Sequence, residues 1–276
     1  MRARALLRLG FGAAAGVLAF AVGCAAVLGV DDVGYASTDA ATADVATADV
    51  ATTDVATTDA CTPAAALLFS GFDQGSTTTG YVGGSIDTVF DTLRLLGDSL
   101  DVDTDASVSP PASLLARGGN AYVYRSVPAE WLAGGLFLEG DFRVETEADA
   151  GTQTADLMAL RFASTDAGPD PRGPRAVLSA EVKPTYVQLR LVVGGGDAGD
   201  VPLDVARTTV GAWSHARLRL TPAAGGDFDV TLDVDGTPSQ GSVHLRGAGV
   251  AYVGWGIDRQ LFGTWRVRVD NACAHH

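Results

Sequence analysis

The chain is poor in positive charge, and this shortage excludes one broad class of partner. Lys183 is the only lysine among 276 residues, and the formal net charge is −14 at pH 7. A protein this acidic repels phosphate backbones. It also has no basic stripe with interleaved aromatic residues. We therefore exclude nucleic acid as a partner.

Several familiar catalytic and metal-binding patterns are also missing from the sequence. It contains no G-x-S-x-G segment and no H-E-x-x-H segment, the signatures of serine hydrolases and zinc proteases. None of its three cysteines and four histidines has ligand-like spacing to another. These absences argue against hydrolysis by either of those two mechanisms.

The N-terminus has the form of an export signal. Arg2, Arg4 and Arg8 precede a stretch without charge that runs from residue 11 to residue 30. The segment from Ala21 to Cys24 resembles a lipoprotein cleavage box, which implies lipidation of Cys24. An uncleaved membrane anchor remains the alternative, because about 20 residues span a bilayer core. Either reading of residues 1–24 places the remainder at the cell envelope, outside the cytoplasm, on the outer membrane or the cell surface.

Residues 25–60 read as a spacer. Aspartates recur every fifth residue from Asp39 to Asp59, with Thr and Ala between them. This period matches neither a helix nor a strand, and the repeat has no large apolar side chain to bury. We expect a disordered, self-repelling stalk.

The remainder, residues 61–276, shows the alternation of β-strands. In residues 227–235, Phe, Val and Leu alternate with Asp and Thr, and Asp235-Gly236 then marks a turn. Many short strands with one apolar face predict an all-β fold, a two-sheet antiparallel sandwich. Further strands are expected at residues 114–117, 121–126, 142–145, 157–163, 176–182, 187–193, 216–220, 250–257 and 265–270.

The hairpin from Trp213 to Gly236 resembles one found in laminin-G-like, concanavalin A-like jelly rolls. It carries WSHARLRL and then VTLDVDG, and the domain opens with FSGFD and closes with VRVDN. The resemblance covers residues 64–273 and implies neighbouring terminal strands. This superfamily includes lectins, adhesion modules, glycosidases and lyases, so the fold alone does not select a function.

Neighbouring terminal strands would bring two pairs of groups together. Cys61 and Cys273 flank the domain, and in an oxidising compartment we expect them to form a disulfide, with two free thiols as the alternative. Asp73, Asp270 and Asn271 would supply oxygen ligands for a structural Ca²⁺. The alternative is that the two aspartates merely cap strands.

A candidate ligand-binding row lies in the strand at residues 187–193. If its valines and leucines face the core, Tyr186, Gln188 and Arg190 share the other face. An aromatic ring beside an amide and a guanidinium suits a sugar. An ordinary exposed sheet face is the alternative. We expect the four tryptophans in the core, with Trp255, between two glycines, as the exception.

Catalysis has less support from the residues. Glu145 and Glu147 share one strand face at a workable spacing for glycoside hydrolysis, but no aromatic platform accompanies them. His215 and His244 stand alone on strands, without the companions that a lyase requires. We therefore expect a non-catalytic surface lipoprotein that binds a glycan or an extracellular protein. The alternatives are a glycan-cleaving enzyme, either a glycoside hydrolase or a lyase, and a structural envelope protein.

Overall fold

The computed structural model describes residues 61–73, 89–95, 99–146, 153–163, 173–194, 199–246, 249–258 and 265–276. The expected export segment, the stalk, Cys24 and Glu147 lie outside these residues. No helix within these ranges is long and apolar enough to cross a membrane.

The described residues form sixteen strands, one short α-helix and one 3₁₀ turn at Ala224–Gly226. The strands are β1 (Leu68–Ser70), β2 (Thr92–Leu95), β3 (Ser99–Asp103), β4 (Ser113–Gly118), β5 (Ala121–Val127), β6 (Leu136–Val144), β7 (Gln153–Ala163), β8 (Arg175–Val182), β9 (Val187–Gly194), β10 (Asp200–Thr208), β11 (Trp213–Pro222), β12 (Asp227–Val234), β13 (Thr237–Pro238), β14 (Val243–Arg246), β15 (Val250–Asp258) and β16 (Trp265–His275). The helix α1 (Ala129–Ala133) joins β5 to β6.

These strands form two antiparallel sheets. The nine-stranded sheet has the order β13-β12-β11-β6-β16-β4-β3, with β1 beside β16 and β14 beside β12. The seven-stranded sheet has the order β10-β9-β8-β7-β15-β5-β2. The predicted all-β, two-sheet sandwich is confirmed.

The core lies between the two sheets. Leu189 and Leu191 of the seven-stranded sheet and Leu218 and Leu232 of the nine-stranded sheet belong to one buried cluster. In both sheets, alternate residues turn toward this cluster, as the hydrophobic effect requires of a two-layer fold. The other half of each strand forms an outward face, on which the side chains point away from the opposite sheet.

The expectation that Trp255 is exposed is wrong, because its side chain is 0% exposed. Its indole nitrogen donates a hydrogen bond of 3.0 Å to the Glu139 carbonyl oxygen. The neighbouring Gly254 is required by packing, because a Cβ there would come within 2.4 Å of both the Tyr122 ring and the Val123 carbonyl oxygen. This glycine allows close approach of β5 and does not indicate exposure of its neighbour.

The two ends of the domain lie together. Strand β1 pairs with β16, with Ser70 opposite Ala272. A disulfide bond joins Cys61 to Cys273, whose Cα atoms are 6.1 Å apart. The bond connects the start of the domain to its last strand.

Removal of this crosslink tests its contribution. A Cys61→Ser/Cys273→Ser double variant leaves no unpaired partner, and we expect its free energy of unfolding to fall by about 2–5 kcal/mol because the unfolded chain gains freedom. Urea titration of both proteins measures the loss. Reduction of the wild type should reproduce it, and equal stability of all three samples would contradict the expectation.

Candidate functional site

The outward face of the seven-stranded sheet carries charges that are buried. Asp156 and Arg161 on β7, Arg175 and Glu181 on β8, and Asp258 on β15 are all shielded from solvent. Charged groups withdrawn from water need partners of opposite charge. Each of the five forms an ion pair with a residue of opposite charge, and these ion pairs organise the face.

Arg161 forms ion pairs with two of the carboxylates. Its Nη2 atom lies 3.0 Å from Asp156 Oδ2 and 2.9 Å from Asp258 Oδ2. Ala159 and Gly254 stand opposite each other between the base of Arg161 and these carboxylates. Because both are small, the long arginine side chain has room to extend along the face.

The two carboxylates share one cation, and the environment of Asp156 changes its proton affinity. Burial raises the pKa of Asp156 to about 6, and the charge of Asp258 adds to the effect, whereas Arg161 opposes it. Burial also raises the pKa of Tyr122, on neighbouring β5, well above 10. The tyrosine stays neutral, so the negative charge here comes from the aspartates.

Two adjoining cavities open on this face. One of about 210 Å³ is lined by Thr154, Asp156, Ser179, Arg190, Val192, Asp200 and Pro202. The other, of about 600 Å³, is lined by Arg190, Pro202, Leu203, Asp204 and Gln240. Since Arg190 and Pro202 belong to both, the two cavities adjoin in one depression that crosses β7 to β10 and ends at Leu203 and Gln240, at the edge of the sheet. We call this depression the cleft.

Arg190 holds a chain of ion pairs along the cleft. Its Nη1 atom lies 2.6 Å from Glu181 Oε2, and its Nε atom lies 2.5 Å from Asp204 Oδ1. Lys183 Nζ lies 2.6 Å from the other Glu181 oxygen. At the far end of the small cavity, Arg175 contacts Asp200 at 2.6 Å. The cleft thus presents cationic donors and carboxylate acceptors side by side.

The structure brings the expected ligand-binding row to this face. Gln188 and Arg190 point outward from β9, and Gln188 donates a hydrogen bond of 2.9 Å to the Ala206 carbonyl oxygen. Tyr186 precedes the strand, and the Arg207 guanidinium lies 4.7 Å from its ring centre. Of the three, only Arg190 lines the cavities, and ligand binding by the row remains a prediction.

The expected calcium ligands have other partners. Asp270 Oδ2 accepts hydrogen bonds of 2.8 Å from the backbone amides of Val108 and Ser109. Asn271 donates one of 2.7 Å to Asp141, and Asp73 is exposed. Within the described ranges, no three or more His, Cys, Asp or Glu side chains are grouped to hold a metal ion. A calcium ion at this position therefore remains a prediction.

The carboxylate considered for hydrolysis lies on the opposite sheet. Glu145 contacts Arg143 at 3.1 Å, Arg266 at 2.6 Å and Arg268 at 2.8 Å, all on the nine-stranded sheet. Glu145 is thus enclosed by three guanidinium groups, the arrangement of a structural ion-pair cluster.

His215 also lies on the outward face of the nine-stranded sheet, between two carboxylates. Its ring nitrogens are 3.0 Å from Asp141 and 3.5 Å from Glu139. The hydrogen bonds to Asp141 and Glu139 raise the pKa of His215 to about 10. A histidine that keeps its proton at neutral pH is a cation and a poor general base.

Comparisons with known proteins bear on the fold. No protein-family model matches the chain, and no curated protein is similar to it in sequence. Among solved structures, alginate lyase Aly36B in complex with an alginate trisaccharide aligns with a TM-score of 0.53 and 14% identity, over 75% of this chain and 97% of that one. This likeness agrees with a concanavalin A-like jelly roll.

Two further similar structures are also polysaccharide lyases. The endo-β-1,4-glucuronan lyase from the fungus Trichoderma reesei has a TM-score of 0.46 at 13% identity, over 72% of this chain and 95% of that one. The PL7 alginate lyase AlyA1 from Zobellia galactanivorans has a TM-score of 0.42 at 9% identity, over 75% and 96%.

The expectation of a non-catalytic binding module is contradicted by the likeness to alginate lyase Aly36B, which has a TM-score of 0.53. A sequence motif reveals catalytic residues only when they lie close together in the chain. The charged groups of the outward face instead come from strands that are distant in sequence, such as β7 and β15, so no local motif marks them.

Replacement of Arg161 tests the central pairing. Arg161→Met leaves Asp156 and Asp258 buried beside each other without their cation, so we expect a loss of about 3–5 kcal/mol in the free energy of unfolding. Chemical denaturation near neutral pH measures it. Arg246→Met, at a side chain that is 86% exposed, should cost little. Similar losses in the two variants would count against the role of Arg161.

The raised pKa of His215, on the nine-stranded sheet, predicts how stability changes at alkaline pH. The pKa of His215 rises from 6.5 to about 10 on folding, so its contribution is fully present below pH 6.5 and is lost as the pH rises through about 10. Melting temperatures across this range should fall less steeply in His215→Gln than in the wild type. Parallel curves for the two proteins would show that the ion pairs contribute nothing.

Proposed function

We propose that this protein is a glycan-cleaving enzyme whose active site is the cleft on the outward face of the seven-stranded sheet. The observation that carries the proposal is the composition of the cleft, where Arg190 pairs with Asp204 and lines the same depression as the carboxylates of Asp156 and Asp200. Such a set combines hydrogen-bonding groups for sugar hydroxyls with groups able to transfer protons.

The chemistry of glycan cleavage fits these residues. The leaving sugar oxygen must gain a proton, and carboxyl groups are common donors. Arginine binds hydroxyl or carboxylate oxygens of a sugar through several parallel donors. The cleft supplies both kinds of group within one depression, whereas Glu145 on the opposite sheet is enclosed by three arginines.

The shared fold supports a polysaccharide substrate. The alginate lyase with the same architecture has its sugar ligand bound, and a polymer suits an open depression better than an enclosed pocket. At 14% identity the likeness supports the fold and leaves the choice between elimination and hydrolysis to experiment.

The location is part of the proposal. The basic N-terminus, the uncharged segment after it and Cys24 support export and attachment to the membrane, by lipidation or by an uncleaved anchor. The acidic repeat would hold the laminin-G-like domain away from the lipid surface. An enzyme displayed there meets polysaccharides of the envelope or of the surroundings.

A panel of polysaccharides tests the proposal. The panel includes alginate, glucuronan and neutral glucans, with ultraviolet absorbance for unsaturated uronate ends and a reducing-end assay for hydrolysis. We expect Arg190→Ala to lower kcat/KM by about ten- to a hundredfold, the loss of a charge-assisted hydrogen bond. Arg246→Ala, on the other sheet, should keep full activity. Absence of new ends from every polymer would contradict the proposal.

A further inference from the structure

We propose that the carboxyl group of Asp156 is the proton donor of the cleft, and that Asp258 and Arg161 are positioning residues that hold it. This inference rests on the proposed glycan cleavage and assigns its catalytic acid. It depends on the arrangement of two carboxylates around one guanidinium.

The first support is the geometry of the pair. Asp156 and Asp258 are direct partners in the register of β7 and β15, and both approach the same nitrogen of Arg161, at 3.0 and 2.9 Å. Two negative charges then face one positive charge. The negative charge of Asp258 therefore disfavours ionisation of Asp156, whereas Arg161 and Arg175 oppose that effect.

The second support is the difference in exposure within the pair. The side chain of Asp156 is 10% exposed and lines the smaller cavity, whereas the side chains of Asp258 and Arg161 are 2% and 1% exposed. A proton held by the pair therefore reaches a sugar in the cleft through Asp156. Asp258 and Arg161 lie behind it and act through it.

The charges of the surrounding strands agree with this assignment. The charged or titratable groups near Asp156 are Arg161 on its own strand, Asp258 on β15, Tyr122 on β5, Arg175 on β8, Arg190 on β9 and Asp200 on β10. Burial and Asp258 raise the pKa of Asp156 to about 6, and the arginines moderate the rise. Near that pH, a substantial fraction of Asp156 holds a proton and releases it readily.

The proton transfer balances in either type of cleavage. As the glycosidic C–O bond breaks, its electron pair stays on the departing oxygen, which takes the proton from the Asp156 carboxyl and becomes a hydroxyl. Asp156 becomes a carboxylate and is reprotonated from water. In hydrolysis, water adds to the other fragment and loses a proton to solvent. In elimination, that fragment loses a ring proton to water and forms a double bond.

The test compares the wild type with Asp156→Asn on the best polysaccharide of the panel. We expect kcat to fall by about 10²–10⁴, with little change in KM, because an amide fills the same space without an acidic proton. We expect wild-type activity to decline above about pH 6 as Asp156 loses its proton, and this decline should be absent from the residual rate of the variant. Asp105→Asn, in an exposed loop after β3, is the matched control and should behave as the wild type.

Asp258→Asn separates positioning from catalysis. Removal of the neighbouring charge lowers the pKa of Asp156, so the alkaline limb of the pH–rate profile should move to lower pH while activity at acidic pH persists. Loss of stability alone would lower activity at every pH without moving the limb. An unmoved limb in Asp258→Asn would overturn the positioning role.

A titration that needs no substrate checks the same proton. The ¹³C resonances of the aspartate carboxyls in the full-length protein should include one that titrates near pH 6 and is lost in Asp156→Asn. Absence of that signal, or unchanged cleavage by Asp156→Asn, overturns the inference while the proposed function stands. A wild-type protein that cleaves no polysaccharide overturns the proposed function, and the donor role with it.

Discussion

The fold depends on one constraint, that two sheets exclude water only when every strand turns alternate apolar side chains toward the other sheet. Leu189 and Leu191 meet this requirement on one side and Leu218 and Leu232 on the other. The remaining side chains of each strand then point outward, whatever their charge. On β7 this places Asp156 and Arg161 on a face where they are buried, and Asp258 of β15 joins them.

The buried carboxylates of the two outward faces have different sets of charged partners. On the nine-stranded sheet, Glu139 and Glu145 are surrounded by cations; burial opposes ionisation of Glu139, yet hydrogen bonds from His215, His275 and Arg217 hold its pKa at about 2. On the seven-stranded sheet, two carboxylates share Arg161, and the pKa of Asp156 rises to about 6. The first arrangement keeps Glu139 ionised. The second allows Asp156 to hold a proton near pH 6, beside the cleft in which we propose cleavage.

Period-two patterning was sufficient to predict the layers, since the apolar positions of residues 187–193 and 227–234 face the core as their spacing indicates. The sequence pattern does not predict the pairing of Asp156 with Asp258, for two physical reasons. A β-bulge shifts the register of β7 between Asp156 and Met158, so simple alternation starts the strand at Leu157 and omits Asp156. Its partner Asp258 lies on a strand distant in sequence. The glycines beside Trp255 suggest an exposed loop, but a glycine is equally required where two strands pack closely, as at Gly254.

A crystal structure of the Asp156→Asn variant with the oligosaccharide products of its best substrate tests the central claim most directly. We expect a sugar to lie in the cleft, with a glycosidic oxygen within hydrogen-bonding distance of residue 156 and a sugar oxygen on Arg190. An oligosaccharide bound instead across the nine-stranded sheet, beside Glu145 or His215, would contradict the account.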